Sequence, residues 1–289
     1  MIKLFEMFAG YGGASFALKK ANINFECVGY SEIDKYAIKC YEQNHLDIKR
    51  CPDSDGKEST AYERLNINYG DCTKINPNDL PDFDLLTAGF PCQSFSVAGK
   101  GLGEQDTRGT LFHEIIRIAE VKKPRYMLLE NVKGLITKKH KATFQKILSE
   151  LDRIGYDVKW NMLNSKNYGI PQNRERIFFV CKLRTKYGLN WQFSFPDKEE
   201  LKIFIKDILE NKVEKKYFLS NERKNLIFNG KRFGSTGQIT PPNGVSQTLS
   251  ASMGMGGGYE PKIIHNCLTE AIGRSGSSSE FKSSCKNNL

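Results

Sequence analysis

Hydrophobic residues between positions 1 and 185 form short continuous runs, which alternate with longer segments where they recur every three or four positions. The continuous runs predict buried strands at residues 2–8, 25–31, 83–87, 125–129, 156–163 and 176–183. The periodic segments predict helices at residues 14–20, 35–44, 110–121 and 140–154. Strands that alternate with helices are typical of an α/β fold with a doubly wound, mostly parallel sheet.

The alternation of strand and helix stops after the last predicted strand, where the composition changes. We therefore predict two domains, a larger one over 1–188 and a smaller one over 189–289. In the smaller domain, the lysine-rich segment 201–215 is predicted to be helical. In the larger domain, residues 46–65 are polar and lack clear periodicity, so we expect a surface insertion with one short helix at 60–65.

The chain is basic, with 43 Lys and Arg against 33 Asp and Glu and a formal net charge of +10. This excess favours a polyanionic partner such as nucleic acid, although a lysine-rich proteome explains the charge equally well. The eight cysteines include no CxxC pair, so zinc-site spacing is absent and no metal site is expected. The N-terminus shows neither a signal peptide nor a transmembrane run, so we expect free thiols in a bacterial cytoplasm.

A glycine-rich turn follows the first predicted strand. Residues 8–13 read FAGYGG and lead directly into the first predicted helix. Glycines in such a place let the backbone pass close to a ligand at the helix N-terminus. The turn lacks the third spaced glycine of the dinucleotide-binding fingerprint, so by itself it is a weak indication of a nucleotide-like ligand.

Acidic residues follow this turn at two places. Glu32 stands about 20 positions after the glycines, where an acid hydrogen-bonds ribose hydroxyls, and Asp34 suits the N-cap of the next helix. Asp71, within the stretch 68–72, is placed to accept a hydrogen bond from an adenine amino group. An aspartate in an ordinary turn explains Asp71 equally well.

Cys92 stands at the carboxyl end of the third predicted strand, in the sequence GFPCQSFS. Ligands of open α/β sheets bind at this edge. The following loop, 97–109, is rich in glycine and carries Lys100 and Arg108, which suggests a mobile lid beside a nucleophile. The alternative is a buried core cysteine beside an ordinary loop, since free cysteine usually behaves as a small core residue.

Two charged motifs come later in the chain. Glu130 ends the strand at 125–129 in the triplet ENV, and is a candidate general acid if it lies beside Cys92. Arg174 and Arg176 are two positions apart in QNRER, so an extended chain directs both side chains to one face. They are placed there to contact an anion or a base, or else they lie in a solvated turn.

Taken in order, these motifs resemble those of the DNA cytosine-5 methyltransferases, particularly the compact enzymes of bacterial restriction–modification systems. The resemblance covers residues 1–185. It implies a Rossmann-like catalytic domain at 1–188 with an antiparallel last strand, followed by a smaller, partial target-recognition domain. It also implies S-adenosylmethionine (AdoMet) as cofactor, S-adenosylhomocysteine (AdoHcy) as product and double-stranded DNA as partner.

The resemblance also gives each motif a role. Cys92 would add to C6 of a cytosine flipped out of a specific duplex site, and Glu130 would hold the N3 edge of that base. Arg174 and Arg176 would position the base and the glutamate. The AdoMet-binding residues that it implies are Phe8, Ala9, Gly10, Tyr11, Gly12, Gly13, Glu32, Ile33, Asp71, Cys72, Pro91 and Leu111. The base- and DNA-binding residues that it implies are Gln93, Ser94, Ser96, Lys100, Arg108 and Asn131.

Two motifs that members of this family carry after the recognition region do not occur before Leu289. We therefore expect either a truncated chain or one subunit of a split enzyme, with apolar surface exposed near Phe8 and Glu32. Two other functions stay open at this point. One is a catalytically silent DNA-binding fragment, and the other is a tRNA cytosine-5 methyltransferase, which the long polar region after residue 190 makes less favoured.

Overall fold

A computed structural model describes residues 1–45, 68–91, 111–184, 191–210, 214 and 240–248, together with the backbone of 49–52, 58–63, 239 and 262–263. In chain order the strands and helices are β1 (Ile2–Met7), α1 (Gly13–Lys20), β2 (Phe25–Ser31), α2 (Lys35–His45), β3 (Lys49–Pro52), β4 (Glu58–Glu63), β5 (Leu85–Gly89), α3 (Leu111–Lys122), β6 (Tyr126–Val132), α4 (Lys141–Arg153), β7 (Tyr156–Asn164), β8 (Gln172–Asn173), β9 (Glu175–Leu183), β10 (Ile239–Thr240), β11 (Ser246–Gln247) and β12 (Lys262–Ile263).

Six strands form the main sheet, in the order β2-β1-β5-β6-β9-β7. The pairs β1 with β2, β1 with β5 and β5 with β6 are parallel, whereas β6 and β9 are antiparallel. From β1 the chain moves to β2 on one side and later returns to β5 on the other. Right-handed crossovers in opposite directions place helices on both faces of such a sheet. The predicted doubly wound α/β fold and its antiparallel last strand are confirmed.

The core consists of the apolar runs that predicted the strands, together with the apolar sides of α3 and α4. Side chains with less than 2% exposure come from β1, β5, β6, β9 and these two helices: Leu4, Phe5, Met7, Leu86, Met127, Leu129, Ile177, Phe179, Phe112, Ile115, Ile147 and Leu151. Burying each such side chain stabilises the fold by roughly 1.5–3 kcal/mol before the opposing entropy is counted. The packed core thereby fixes where each strand ends, and the strand ends carry the motifs.

Residues predicted from the sequence to cap helices lie at the observed helix ends. Asp34 Oδ1 accepts the backbone N–H groups of Tyr36 and Ala37, both at 2.9 Å, so Asp34 is the predicted N-cap of α2. Gly155 ends α4 with φ +95°, a conformation that favours glycine. No helix among the described residues is long and apolar enough to cross a membrane.

Two predicted helices are wrong. Residues 58–63, where a helix was expected at 60–65, form β4, which pairs antiparallel with β3. The run Ser-Thr-Ala-Tyr within it contains β-branched and aromatic residues that favour a strand. In the segment 201–215, the described residues form only a 3-10 helix, Ile205–Ile208. There the backbone N–H groups of Ile205 and Lys206 bond the carbonyls of Gly244 and Pro242, so distant contacts override local helix propensity.

The chain divides into two compact units. The first comprises residues 1–162 and 176–195, and the second comprises 163–175 and 196–289. In the second unit, β8 pairs in parallel with β11, and the Thr248 hydroxyl donates to the Asn173 carbonyl at 2.8 Å. The second unit therefore includes part of the QNRER motif, which lies within the larger domain predicted from sequence.

Candidate active site

The strand order creates a topological switch point between β1 and β5, because the chain leaves β1 in one direction and β5 in the other. Ligands of doubly wound sheets bind outside the carboxyl ends of the strands at such a point. The glycine turn 8–13 follows β1, and Phe90 and Pro91 follow β5. In the β5–β6 pair, Gly89 is in register with Glu130. The glycine turn, the segment that leads to Cys92 and the triplet that begins with Glu130 therefore all lie at one edge of the sheet.

The glycine turn has an irregular backbone that places Phe8, Gly10 and Gly12 at φ +53°, +57° and +82°. Its N–H groups are used at both ends, since Ala9 N donates to the Ser31 carbonyl at 3.2 Å and Gly12 N donates to the Ala9 carbonyl at 2.9 Å. A Cβ added at Gly10 would meet no atom within 4 Å. The backbone at Gly10 therefore faces open space, as a ligand-binding turn requires.

A buried hydrogen-bond network supports this turn from below, and the sequence reasoning missed it. Glu6 is only 2% exposed, and its carboxylate accepts hydrogen bonds from the Ser15 hydroxyl at 2.5 Å, the Tyr41 hydroxyl at 2.6 Å and the Ser15 backbone N–H at 3.3 Å. Burial, reinforced by the nearby Glu6 charge, raises the pKa of Tyr41 above its ordinary value. The signal in the sequence was an acidic residue inside an otherwise apolar central strand.

Helix α2 contacts the turn itself through His45. Its Nε2 lies 2.8 Å from the Tyr11 carbonyl, so Nε2–H donates to that oxygen. The Nδ1 of His45 is buried and has no hydrogen-bond partner. A Cβ on Gly12 would stand 2.4 Å from the His45 ring and 2.9 Å from the Tyr41 ring, so only glycine lets the turn pack this closely on α2.

Glu32 lies at the end of β2, beside the glycine turn. Its Oε2 accepts the Gly10 N–H at 2.9 Å, and its Oε1 accepts the N–H groups of Ile33 and Asp34 at 2.8 and 2.9 Å. A carboxylate offers about four acceptor positions, so capacity for a ligand hydroxyl remains. The neighbouring Ile33 side chain is 74% exposed and offers an apolar surface next to this acid.

Asp71 is the N-cap of the 3-10 helix Cys72–Lys74 and accepts hydrogen bonds from Thr73 N at 3.0 Å and the Thr73 hydroxyl at 2.8 Å. These bonds hold the pKa of Asp71 below its usual value. Arg117 fixes the same loop, because its guanidinium donates to the carbonyls of Cys72 at 3.0 Å and Ile75 at 2.6 Å. Asp71 therefore has the turn role that the sequence left open, with its carboxylate fixed in place.

The residues around the glycine turn fit a cofactor that carries a ribose and an adenine. Open space at Gly10, spare acceptor capacity on Glu32 and the exposed Ile33 side chain lie at the end of β1 and β2. The carboxylate of Asp71 is 37% exposed and held in place by its loop. These groups are what ribose hydroxyls, an adenine face and an adenine amino group need as partners.

Glu130 and Arg176 form an ion pair across the antiparallel strands β6 and β9. Arg176 Nε lies 2.8 Å from Glu130 Oε1, with 17% and 29% of the two side chains exposed. A Cβ on Gly89 would lie 3.4 Å from Glu130 Oε2, so the carboxylate stands over the end of β5. The structure therefore brings two of the predicted catalytic residues together next to the strand that leads to Cys92.

Asn131 is 2% exposed, and both the nitrogen and the oxygen of its side-chain amide form hydrogen bonds within the protein. Its Nδ2 donates to the Phe90 carbonyl at 2.9 Å, and its Oδ1 accepts the Val132 N–H at 2.8 Å. Asn131 thus joins the end of β6 to the residues directly before Cys92. Sequence reasoning listed it as a base contact, and the geometry adds a positioning role.

Arg174 lies in the second unit, where its backbone N–H donates to the Asn164 side chain at 3.1 Å and to the Gln172 carbonyl at 3.1 Å. Pro91 and Leu111 border the segment 92–110, which lies outside the described residues. The predicted residues in that segment are Cys92, Gln93, Ser94, Ser96, Lys100 and Arg108.

Three buried cysteines, Cys27, Cys72 and Cys181, are poor nucleophiles. Burial raises the pKa of the Cys27 and Cys72 thiols to about 11 in each case and raises that of Cys181 further. A thiol with such a pKa is almost wholly protonated at neutral pH, and the thiolate is the reactive form. These three thiols are therefore weak candidates for a nucleophile.

Comparison with known proteins agrees with the family resemblance of the sequence motifs. A family model described as C-5 cytosine-specific DNA methylase matches residues 2–241. Among relatives, Type II methyltransferase M2.ScrFI of Lactococcus lactis subsp. cremoris is 38% identical over 77% of this chain and 71% of its own length. Type II methyltransferase M.NgoBV of Neisseria gonorrhoeae is 41% identical over 73% of this chain and 47% of its own length. This chain therefore spans about half of some relatives and over two thirds of others.

Solved structures share the fold. The S. pombe Dnmt2 methyltransferase superposes with a TM-score of 0.67 at 22% identity, over 98% of this chain and 81% of that one. A putative DNA modification methyltransferase encoded within a prophage of E. coli gives 0.60 at 20% identity, over 91% and 86%. Because the family model matches most of the chain and the strand-end motifs meet at one edge, the protein belongs to the family of C-5 cytosine-specific DNA methylases.

Proposed function

We propose that this chain transfers a methyl group from AdoMet to C5 of a cytosine in a specific site of duplex DNA, as part of a bacterial restriction–modification system. The observation that carries the proposal is the Glu130–Arg176 ion pair at 2.8 Å, beside the strand end that leads into Pro91 and Cys92. A carboxylate and a guanidinium in this place suit the polar edge of a pyrimidine. The type II methyltransferases among the relatives support the same reaction.

In the proposed mechanism, the target cytosine leaves the duplex, since its C5 and C6 atoms are out of reach inside the stack. The Cys92 thiolate adds to C6, and this covalent step makes C5 nucleophilic. Glu130 holds the N3 edge and shares a proton with it while negative charge develops on the ring. Arg176 keeps that carboxylate oriented. Once C5 carries the methyl group, loss of the C5 proton and expulsion of the Cys92 thiolate restore the double bond between C5 and C6.

The glycine turn and the acids near it would bind AdoMet, which supplies the methyl group when bound. Glu32 would accept the ribose hydroxyls, Ile33 would cover the adenine ring, and Asp71 would accept from the adenine amino group. Phe8, Ala9, Tyr11, Gly13, Cys72, Pro91 and Leu111 would complete the wall of the cofactor site. Gln93, Ser94, Ser96, Lys100 and Arg108 would contact the base or the DNA backbone.

Two measurements test the reaction. Tritiated AdoMet offered to duplex DNA and to tRNA should label the DNA, and label on tRNA alone would establish the RNA substrate instead. Duplex containing 5-fluorocytosine should become covalently attached to the protein, because fluorine at C5 blocks the final elimination. Cys92→Ser should abolish this attachment, while Cys72→Ser and Cys181→Ser should leave it intact. Attachment that persists in Cys92→Ser places the nucleophile elsewhere, and DNA binding with neither label nor attachment supports a catalytically silent DNA-binding protein.

We also propose that a second polypeptide completes the cofactor side of the site in the bacterial cytoplasm. Four large apolar side chains in the glycine turn, the first turn of α1, the link between β2 and α2 and the start of α2 are 56–74% exposed: Tyr11, Phe16, Ile33 and Tyr36. Exposed apolar surface of this kind marks protein contacts. The C-terminal region of M2.ScrFI supplied in trans should raise AdoHcy affinity and methylation. Efficient methylation by the isolated chain, with no further gain on addition, would contradict this proposal.

A further inference from the structure

A run of lysines follows directly after β6, the strand that carries Glu130. Between residues 131 and 149 the sequence has five lysines and no acidic residue: Lys133, Lys138, Lys139, Lys141 and Lys146. Three of them, Lys138, Lys139 and Lys141, are nearly consecutive, and we refer to these three as the lysine cluster. The local charge density far exceeds that of the chain as a whole, whose net charge is +10 over 289 residues.

The fold places the lysine cluster at the catalytic edge of the sheet. Val132, the last residue of β6, pairs with Arg176 of β9. The chain then forms two 3-10 helices, Lys133–Ile136 and Lys138–His140, and enters α4 at Lys141. The helix that follows a parallel strand begins at the carboxyl end of that strand, so the cluster lies at the same edge as the Glu130–Arg176 pair.

The side chains of the lysine cluster are available to a partner. Lys138, Lys139 and Lys141 are all exposed. Within the described part of the chain, none of the three is ion-paired with an acidic side chain, whereas Lys122, Arg153 and Arg184 elsewhere in the same unit all have carboxylate partners. The positive charge of the lysine cluster is therefore not neutralised by an acidic side chain among the described residues.

The lysine cluster also lies at the N-terminal end of α4, where positive charge is electrostatically unfavourable. Helices favour acidic residues in the first turn and basic residues in the last. In α4 the first turn contains no acid and starts with Lys141, while its acidic residues, Glu150 and Asp152, lie in the last turns. Each such reversal destabilises an exposed helix end. Helix stability therefore does not explain the cluster, and sites that violate a local rule are commonly functional ones.

We propose that the lysine cluster binds the phosphodiester backbone of DNA beside the flipped cytosine, an inference that rests on the proposed function. Exposed lysines suit phosphates, which they contact as point charges without base specificity. Contact at this edge would hold the duplex next to Glu130 and Arg176 while the base leaves the stack. The cluster thus sets DNA affinity and salt dependence, and it does not read the target sequence.

The test is a triple substitution, Lys138→Gln with Lys139→Gln and Lys141→Gln, compared with a control that removes the same charge elsewhere. The control is Lys3→Gln with Lys19→Gln and Lys20→Gln, since these exposed lysines lie at the start of β1 and the end of α1, at the opposite edge of the sheet. Binding of a mixed-sequence duplex is measured by fluorescence anisotropy over a series of NaCl concentrations. AdoHcy affinity and urea unfolding are measured on the same proteins.

Each phosphate contact contributes about 0.9 to the slope of log affinity against log salt concentration. The cluster variant should therefore lose about 2 to 3 from the magnitude of that slope and bind the duplex at least about tenfold more weakly at low salt. Its AdoHcy affinity should equal that of the wild type. The control variant should keep most of the wild-type slope, because its lysines face away from the duplex.

The outcomes separate this inference from the proposed function. Equal slopes for the two variants, with a wild type that binds and methylates DNA, would overturn the inference alone. Failure of the wild type to bind or methylate any duplex would overturn both. The cluster substitutions could instead lower the salt-dependence slope for tRNA binding and leave the slope for duplex DNA unchanged. That result would overturn the assignment of the surface to DNA. If the cluster variant does not fold, Lys138→Gln and Lys139→Gln singly should each reduce the slope by about 0.9.

Discussion

Gly10 and Gly12 belong to one turn but meet different surroundings. Both have positive φ, at +57° and +82°, yet a Cβ on Gly10 would meet open space whereas one on Gly12 would overlap the rings of His45 and Tyr41. The conformation alone costs an alanine about 1–2 kcal/mol. We expect Gly10→Ala to lower the free energy of unfolding by about that amount and Gly12→Ala by clearly more, as measured by urea denaturation. Equal losses would mean that α2 does not constrain the turn.

Arg176 orients Glu130 through its Nε, at 2.8 Å from the carboxylate. Lysine keeps the charge but lacks the planar fork of the guanidinium, so the carboxylate would turn away from the base. We expect Arg176→Lys to reduce methylation of duplex DNA on the order of 100-fold, with AdoHcy affinity unchanged. The measurement is tritium transfer from AdoMet, and the matched control is Arg184→Lys, whose ion pair with Asp152 lies at the end of α4. Equal activity in the two variants would remove Arg176 from the mechanism.

The pKa values of the buried thiols predict their reactivity. Because Cys27 and Cys72 have pKa values raised to about 11, their thiolates are scarce at neutral pH and increase only as the pH approaches 11. We expect iodoacetamide to modify neither residue in the native protein at neutral pH, as read by mass spectrometry of peptides. Half-buried Cys40 is the internal comparison. Rapid labelling of Cys72 at neutral pH would show that the loop at Asp71 opens readily.

At the scale of elements, α2 connects the central strand to the first helix. Tyr41 donates to Glu6 of β1, which also accepts from Ser15 of α1, and the Tyr41 ring stacks on Tyr30 of β2 at 4.0 Å. Hydrogen bonds thus join α1 and α2 to one buried carboxylate of β1. A buried acceptor that loses a donor typically costs about 1–3 kcal/mol.

We therefore expect Tyr41→Phe, which retains the stacking, to lower the free energy of unfolding by about 1–3 kcal/mol. AdoHcy should bind about fivefold more weakly, because the glycine turn loses support at Ser15. Urea denaturation and calorimetric titration measure the two effects. Tyr36→Phe, on the same helix but 72% exposed, is the control and should change the free energy of unfolding little. Unchanged AdoHcy affinity in Tyr41→Phe would make the network a purely structural one.

Also at this scale, the sequence predicts well those elements that have a clear hydrophobic pattern. It does not predict an element whose backbone hydrogen bonds go to residues far along the chain. Strand β2 and helices α2, α3 and α4 agree with the hydrophobic pattern to within a residue or two at each end. The pattern is reliable there because each element buries one apolar face on the same core. Residues 205–208 differ, since their backbone bonds go to Pro242 and Gly244, which no local pattern reveals.

At the scale of the whole molecule, the predicted site residues fall into two compact units. The first unit contains the switch point, the glycine turn and the Glu130–Arg176 pair, while the second begins with residues 163–175 and continues from 196. The QNRER motif is therefore split between units, with Arg176 in the sheet and Arg174 in the other unit. These compact units are discontinuous in sequence, whereas composition predicts a single boundary after residue 188.

The sequence by itself determined the α/β fold, the order of the motifs and their place at strand ends, because hydrophobic period and glycine position act locally. The resemblance implied that Arg176 positions Glu130, and the tertiary structure gave the 2.8 Å contact between them. Only the tertiary structure decided that Glu6, Tyr41 and His45 support the glycine turn. It also decided that Asn131 fixes Phe90 and that Asp71 caps a 3-10 helix. These contacts depend on which strands become neighbours and how helices pack on them, and such long-range geometry leaves no periodic trace in the sequence.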